Sequence, residues 1–563
     1  MLARSLARSV PKLYLVSNEL LNPKTLVDIP TYELFTKLLY VNHPKPGLVN
    51  WMPMGMSVLN KVKALVHRNI QAAGAEEISL STLSHSSLWE ITGRWGGTEL
   101  FKLKDSNGSD YCLAPTCEEE ITNLVKANIR TYKSLPLLYY QINTKFRDEK
   151  RPRSGLLRGR EFIMKDAYSF DTSEENALQT YQNMVEAYYR VFEELKVPFV
   201  KADADTGEIG GSLSHEWHYV HSSGEDTLFT CSECNNSLNI EKTLSYPLEE
   251  QQHNNVGVHY FTTIDRNMLV CAYFPAAREF VPGFVKSEIP DIDLSGSLTE
   301  EQILDLFRDE ETLITKRIVR IMDSRLNSRS NFPDFPIKFI NRSLITTLTD
   351  IPIVAAEEGE LCVLCEEGTL QKSRAIEVGH TFFLGDKYSK ALGCSVELPR
   401  EDGTMEKRDV LMGCYGIGIS RIIASVAEIN RDEHGLRWPS IIAPWQVTVA
   451  NANNDSRGEE VVEALERANV ESRIDNREKV GLGRKIKESN AMGIPLVVIV
   501  GKKFPMLEVE VRGLRYGDKL KWRDLYDTKD FEWEVEEENG VDTRHRVHAD
   551  HVDKVVKVLL ADM

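Results

Sequence analysis

The 563-residue chain has no apolar run near the ~20 residues a helix needs to cross a bilayer, the longest being Ile494 to Val500. That predicts a soluble protein without a membrane partner. Positive charge is also short: 68 Lys plus Arg against 85 Asp plus Glu leave a net charge of -17, which excludes a general nucleic-acid coat but permits a local basic patch. Internal repeats and low-complexity tracts are missing, so solenoids, collagen and wholesale disorder are excluded. Cysteine is sparse and odd in number, at nine, which argues against a disulfide framework and fits a reducing compartment. What is present, 42% hydrophobic residues over this length, can bury several cores in roughly 3 to 4 domains.

One further absence is local. Residues 1 to 18 contain no acid, yet carry Arg4, Arg8 and Lys12 with Leu2, Leu6 and Val10 between them. A helix there would be basic on one face and apolar on another, ending by Pro11. This reads as a mitochondrial transit peptide within a leader spanning 1–25, and places the protein in the matrix; a frayed basic tail is the alternative.

Past the leader, apolar Val58, Val62, Leu65 and Ile70 predict a helix over 54–74, and Ser173 opens a long helix over 173–195. Between 247 and 358 short segments broken by Pro and Asp, with an acidic helix candidate at 299–309, read as an inserted domain. From 443 to 563, VTVANAN, EEVVEALERAN, VESRID, GRKIKESNAMG and IPLVVIVG alternate strand with helix, the pattern of a small α/β domain. The segments 26–246 and 359–442 then make the two parts of one interrupted domain.

The densest chemistry lies at 144–170 (TKFRDEKRPRSGLLRGREFIMKDAYSF), where Arg147, Arg151, Arg153, Arg158 and Arg160 crowd a strand, loop and strand. Guanidinium groups grip phosphate and carboxylate bidentately, and Phe162 offers a face for a purine. A surface ion-pair network with Glu149 and Glu161 explains the same residues. In GCYGIGISR at 413–421 the G-x-G pattern that begins at Gly416 has Arg421 rather than Gly at its sixth position, so a dinucleotide fingerprint fails. A tight strand-to-helix turn, or an Arg meeting a phosphate at a helix start, remain. CSEC at 231–234 and CVLC at 362–365 have metal-type spacing; Cys231, Cys234, Cys362 and Cys365 are a candidate tetrahedral zinc set pinning both ends of the insertion, against four reduced thiols without metal.

Taken together, FRDE, RGREF and GIGISR resemble motifs 2 and 3 of a class II aminoacyl-tRNA synthetase. LAPTCEEEIT at 113–122, MKDAYSF at 164–170, GEIGGSLSHEW at 207–217, IEVGHTFFLGDKYS at 376–389 and LMGCYGIG at 411–418 resemble the bacterial-type prolyl-tRNA synthetases. The likeness covers about 35–246 and 374–563. It implies an α+β protein, with an antiparallel sheet flanked by helices, an insertion, and a C-terminal anticodon-binding domain. It implies activation of L-proline with ATP and transfer to tRNA(Pro), using Mg2+, in a homodimer.

The resemblance implies roles residue by residue. Arg147 would meet the α-phosphate and the proline carboxylate; Arg158 and Arg421 the outer phosphates; Phe162 the adenine. Glu149, Glu377 and Gly418 would complete the ATP site, Glu377 near magnesium. Thr116 and Glu118 would recognise the imino group, with His380 lining the same pocket. Glu118 and Glu119 are adjacent; on a strand they would face opposite ways, so only Glu118 is expected to serve the site. Arg477, Lys479, Arg484, Lys485 and Lys487 form a basic cluster suited to tRNA, or an ordinary solvated helix end.

Three positions depart from the family pattern: Ser81 and His85 where motif 1 has prolines, and Cys117 where the Thr-x-Glu loop has His. The insertion is shorter than a full editing domain, and nothing catalytic is expected of it. Two rivals from other classes remain, a regulator that binds tRNA or amino acid without charging and an enzyme that adenylates an amino acid for a carrier protein. Arg147, Glu118 and Arg421 count against the first, the basic C-terminal domain against the second.

Overall fold

The computed structural model describes residues 9–11, 16–153, 155–207, 209–249, 255–308, 316–327, 329–333, 335–337, 345–400, 402–453, 455–514, 533–538 and 541–563. Arg4, Arg8 and Lys12 of the leader therefore lie outside the described residues. The chain divides into two compact units, one of Met1–Phe199, Ile209–Ser212 and Val378–Met563, the other of Val200–Glu208 and Leu213–Glu377.

In the first unit, an antiparallel sheet is built from the C-terminal half of Leu370–Gly385, then Leu411–Gly418, Glu161–Asp171 and Leu137–Phe146, with Glu76–Glu77 added in parallel at the edge. Register sets Phe162 opposite Lys145 and Gly416 opposite Asp166. Helices Glu174–Glu194 and Ile419–Asn430 pack on it, and Pro53–Ala72 packs against both of them. Their apolar stripes supply the burial: Val58, Val62, Leu65 and Ile70 from the first, Tyr188 and Phe192 from the second, Ile422 and Ile423 from the third. Ser173 caps the long helix as its sequence predicts, accepting from the Asn176 amide at 3.3 Å.

The 443–563 pattern resolves as expected into Val447–Asn451, Arg457–Arg467, Ser472–Asp475, Leu482–Ala491 and Leu496–Val500. Its six-stranded sheet begins with three parallel strands, Ser472–Asp475, Val447–Asn451 and Leu496–Val500, and the last of these is buried along its whole length, as a strand covered on both faces must be. Ser9 adds a parallel bridge to Ile474 on the edge strand, Val10 N–H donates to the Ile474 carbonyl at 3.1 Å, and Val16 and Leu20 are buried.

The second unit holds its own four-stranded sheet, in the order Val256–Thr262, Met268–Pro275, Arg317–Met322 and Ile345–Leu348, together with the flanking strands Leu213–Val220, Asp226–Cys231 and Ser237–Asn239. The acidic helix is shorter than its sequence suggests: it spans Glu300–Asp305, opened by a capping box between Thr299 and Gln302. A buried charge cluster ties this unit together. Arg325 donates to Glu360 at 3.0 and 2.8 Å, to Asp323 at 3.2 Å and to the Ser245 hydroxyl at 2.8 Å.

Candidate active site

Arg147 follows directly on the strand Leu137–Phe146, where its N–H donates to the Arg160 carbonyl at 2.9 Å and fixes the base of the loop. Its guanidinium lies 5.4 Å from the Phe162 ring centroid, and its buried Nε has no hydrogen-bond partner. A buried cationic donor left unmatched is costly unless an anion completes it, so this atom fits a phosphate or carboxylate ligand. Arg158 lies 2.9 Å from Glu149, the ion pair that the composition alone allows, while Glu161 is exposed.

The strand Leu411–Gly418 runs straight into the helix Ile419–Asn430 with Gly418 at its cap, as GIGISR predicts. Arg421, in the first turn, donates from Nε to the Leu157 carbonyl at 2.9 Å, and Ser420 accepts from the Ile163 N–H at 2.9 Å. Two stretches 264 residues apart are thereby joined: the arginine loop, Phe162 and Arg421 occupy one region at a helix N-terminus, where dipole and guanidinium both favour anions.

Beside it lies a buried polar knot. Here the structure corrects the sequence reading, because Glu118 and Glu119 open the helix Glu118–Asn128 rather than sit on a strand, and both are fully buried. Arg94 Nη1 reaches both, at 3.1 Å to Glu118 and 3.0 Å to Glu119. Glu118 Oε1 also accepts from Thr116 Oγ1 at 2.7 Å and from Cys414 Sγ at 3.1 Å. Burial pushes the Glu118 carboxyl up, but Arg94 and the two donors more than offset it and hold it below its ordinary value. Burial together with repulsion from Glu118 raises Glu119 despite Arg94. Below Thr116, Tyr168 donates to Asp166 at 2.8 Å and accepts from the Cys117 N–H at 2.8 Å; Lys145 meets Asp166 and Cys117, each at 3.0 Å. Cys117, standing where the family has His, thus faces a lysine.

Arg94, Lys145, Asp166 and Tyr168 were not singled out from the sequence. The usable signal was EEE at 118–120 inside an otherwise apolar setting, since carboxylates there require a cation. Of the other expected residues, His380 stacks on Phe382 with centroids 3.8 Å apart, whereas Glu377 belongs to the second unit, its N–H donating to Asp226 at 3.3 Å.

The basic cluster divides. Lys485 is 1% exposed and its ammonium donates to the Asn451 and Asp475 carbonyls at 2.9 and 3.0 Å, so the expectation that it meets tRNA is corrected: it is an internal tie. Arg477 is bound to Asp475 and Glu488. Arg484 donates to Glu488 at 2.7 Å, to Asn18 at 2.6 Å and to the Val16 carbonyl at 2.8 Å. Lys479 and Lys487 are exposed.

In the second unit all four paired cysteines converge, their Sγ atoms within 4.8 Å of one another, with Cys231 to Cys365 at 3.5 Å and Cys234 to Cys362 at 4.0 Å. A tetrahedral zinc with Zn–S bonds of ~2.3 Å needs sulfur separations of ~3.8 Å. The Gly368 N–H, 3.4 Å from Cys365 Sγ, supplies the outer hydrogen bond such thiolates take.

Residues 101–430 match the tRNA synthetase class II core domain of the G, H, P, S and T enzymes, and residues 446–525 an anticodon binding domain. The chain belongs to the class II tRNA synthetases. It is 52% identical to the cytoplasmic proline-tRNA ligase of Candida albicans, covering 99% of this chain and 98% of that protein. It is 42% identical to a probable mitochondrial proline-tRNA ligase of Saccharomyces cerevisiae, covering 100% and 99%, and 33% identical to the Aquifex aeolicus proline-tRNA ligase, covering 94% and 97%. Within that class its activity is that of a proline-tRNA ligase. Two crystal structures of prolyl-tRNA synthetase from Cryptosporidium parvum share the fold, at 14% identity with TM-scores of 0.57 and 0.58, covering 94% and 97% of this chain and 77% and 80% of those.

Proposed function

We propose that Arg147, Phe162 and Arg421 form the ATP site and that Thr116, backed by Glu118, receives the proline imino group. The observation that carries this reading is the unmatched buried Nε of Arg147, beside an aromatic face and a helix N-terminus. Adenine stacks on Phe162, Arg158 and Arg421 take the outer phosphates, and Glu149 holds Arg158 in place through their ion pair. Arg147 neutralises charge as the proline carboxylate attacks the α-phosphorus and pyrophosphate leaves. No general base is required, because the nucleophile is already ionised; catalysis is alignment and charge stabilisation. His380 lines the amino-acid side.

Magnesium, when bound, screens the ATP phosphates. Glu377 is its proposed ligand, and the second unit places the Glu216 carboxylate within 4.8 Å of the Glu377 carboxylate, a hard-oxygen pair suited to such a cation. Zinc is proposed for the four cysteines, as a structural pin, and metal analysis finding less than one zinc per chain in protein purified without chelator would refute it.

Transfer of proline follows docking of tRNA(Pro), for which Lys479 and Lys487 are the exposed members of the basic cluster. Dimerisation is proposed through the three-stranded sheet Leu83–His85, Asp110–Leu113 and Phe101–Lys104 and the helix Ser86–Ile91, which expose Leu83, Ile91 and Leu103. The matrix is the proposed location, on the acid-free first 18 residues and the naming of the Saccharomyces relative. Among the described residues no helix is long and apolar enough to cross a membrane.

The test is proline-dependent exchange of pyrophosphate into ATP by the full chain, with Arg147→Ala and Arg421→Ala beside it. Losing one transition-state charge contact costs about 10²- to 10³-fold. Exchange within about tenfold of the parent in both variants would overturn the assignment.

A further inference from the structure

The helix Leu482–Ala491, which carries the exposed Lys487, ends against a single arginine of its own domain. Arg512 stands directly after the strand Met506–Val511 and is 7% exposed. Its Nε donates to the Asn490 carbonyl at 3.2 Å, in the last turn of that helix. Its Nη1 and Nη2 donate side by side to the two carboxylate oxygens of Asp432 at 2.5 and 2.6 Å, and Nη2 also reaches the Gly435 and Leu436 carbonyls, each at 3.1 Å. Asp432 lies two residues past the helix Ile419–Asn430, whose first turn holds Arg421. One guanidinium thus joins the end of the helix proposed to face tRNA to the end of the helix that reaches the ATP site.

The backbones around this arginine are in direct contact. Leu436 N–H donates to the Ala491 carbonyl at 3.0 Å, and Trp438 N–H to the Gly493 carbonyl at 3.2 Å. Gly435 and Gly493 both have positive φ, and a Cβ on either would collide with backbone of the opposite segment. Asp432 N–H donates to the Gly435 carbonyl at 3.0 Å and His434 N–H to Asp432 Oδ1 at 2.8 Å, so the turn orients the carboxylate that Arg512 meets. Arg437 Nε donates to the Arg512 carbonyl at 3.1 Å and steadies the arginine from behind. Burial pushes the Asp432 carboxyl up, but the hydrogen bonds and charge of Arg512 more than offset it and hold it below its ordinary value. A planar fork on a carboxylate, with further N–H groups on backbone carbonyls, fixes an angle as well as a distance; an ammonium fixes only the distance.

We infer that Arg512 is a positioning residue for the transfer step: it sets the orientation of the anticodon-binding domain to the ATP and proline site, so that a tRNA held at Lys479 and Lys487 brings its acceptor end to the adenylate. The inference goes beyond the proposed reading and rests on its placement of tRNA at Leu482–Ala491. Arg512 touches neither ATP nor proline in that reading, and roughly three helical turns separate Asp432 from Arg421. Activation of proline should therefore proceed without the clamp. Transfer needs two distant parts of one tRNA seated together, and should not.

The experiment measures two reactions on the same preparations of the full chain: proline-dependent pyrophosphate exchange, and single-turnover transfer of proline from the enzyme-bound adenylate to tRNA(Pro) over a range of tRNA concentrations. The variants are Arg512→Met, Arg512→Lys, Asp432→Asn, the double variant Arg512→Met with Asp432→Asn, and Lys487→Ala. Exchange also reports that each variant is folded. Arg512→Met is expected to slow transfer at saturating tRNA by about ten- to a hundredfold, the effect of a misplacement of about 1 Å, with exchange within about twofold of the parent and the half-saturating tRNA concentration within about threefold. Arg512→Lys should recover part of the loss, and the double variant should be no slower than Arg512→Met, because both changes remove one contact. Equal losses in exchange and transfer would make Arg512 a structural tie only, and a loss confined to the half-saturating tRNA concentration would make it a binding residue; either overturns the proposal, as does transfer within about twofold of the parent. An unchanged half-saturating concentration in Lys487→Ala would instead remove the tRNA placement beneath it. If Arg512→Met fails to fold, Arg512→Lys and Asp432→Asn are judged by the same split between transfer and exchange.

Discussion

Two lysines two residues apart on the helix Leu482–Ala491 should behave as opposites. Lys485 is enclosed, its ammonium shared between the Asn451 and Asp475 carbonyls, while Lys487 is exposed. Lys485→Met leaves two buried carbonyls without donors at roughly 1–3 kcal/mol each, partly offset by the apolar side chain that replaces the stem, for a net loss of about 2–5 kcal/mol. Lys487→Ala should change stability by no more than about 0.5 kcal/mol. Trp445 and Trp533, both in the C-terminal domain, allow urea unfolding to be followed by fluorescence; the Lys485→Met midpoint should fall with the slope unchanged. In charging assays the order reverses. Lys487→Ala should weaken tRNA binding and reduce the salt slope by about one, whereas Lys485→Met should leave the tRNA KM alone below its unfolding range. An unmoved midpoint for Lys485→Met combined with a raised tRNA KM would refute the reasoning and restore that lysine to the tRNA surface.

Lys165 is fully buried, donating to Tyr188 and to the Tyr415 carbonyl at 2.9 and 2.8 Å, and burial drives its pKa down to about 7 against the pull of Asp166. The unfolded chain then binds more protons above about pH 7, so parent stability minus that of Lys165→Met should climb toward about pH 10 by up to ~1.4 kcal/mol per pH unit in denaturant titrations, and a flat difference would count against it. Phe162→Leu should raise the KM for ATP by roughly 5- to 150-fold in pyrophosphate exchange, the value of one stacked base, and leave the KM for proline unaltered. In the second unit, Arg325→Met leaves the buried Asp323 without its cation, while Arg278 still holds Glu360 at 2.7 Å, and should cost about 3 kcal/mol by urea unfolding, a loss that a variant within about 1 kcal/mol of the parent would disprove.

Periodic segments were legible because their pattern is the cause of their burial: Val58, Val62, Leu65 and Ile70 had to face one way, and IPLVVIVG could only be a strand covered on both sides. The long-range joins were legible only through the motifs, since nothing in local spacing brings Arg421 to the Leu157 carbonyl. Polar residues inside were the blind spot. EEE at 118–120 was read by strand alternation, yet three acids also suit the positive end of a helix, which is where they are. Lys485 looked like surface because lysines usually are, but Glu488 and Ser489 share its buried face, and a polar inner stripe carries no hydrophobic signature. Arg94 was missed because its partners lie 24 and 25 residues away and its own surroundings, TGRWGG, contain no acid.

The bridge from Ser9 and Val10 to Ile474 has a consequence in time. The edge strand that receives the N-terminal segment is made roughly 460 residues after it, which at about 5–20 residues per second is about 25–90 s of synthesis. Throughout that interval the segment has no docking site of its own and is open to whatever recognises a nascent chain. Once the C-terminal sheet closes, Ile474 takes Ser9 and Val10 while Arg484 takes Val16 and Asn18. Docking of the N-terminal segment is therefore among the last steps of assembly, completed only after the final domain has been made.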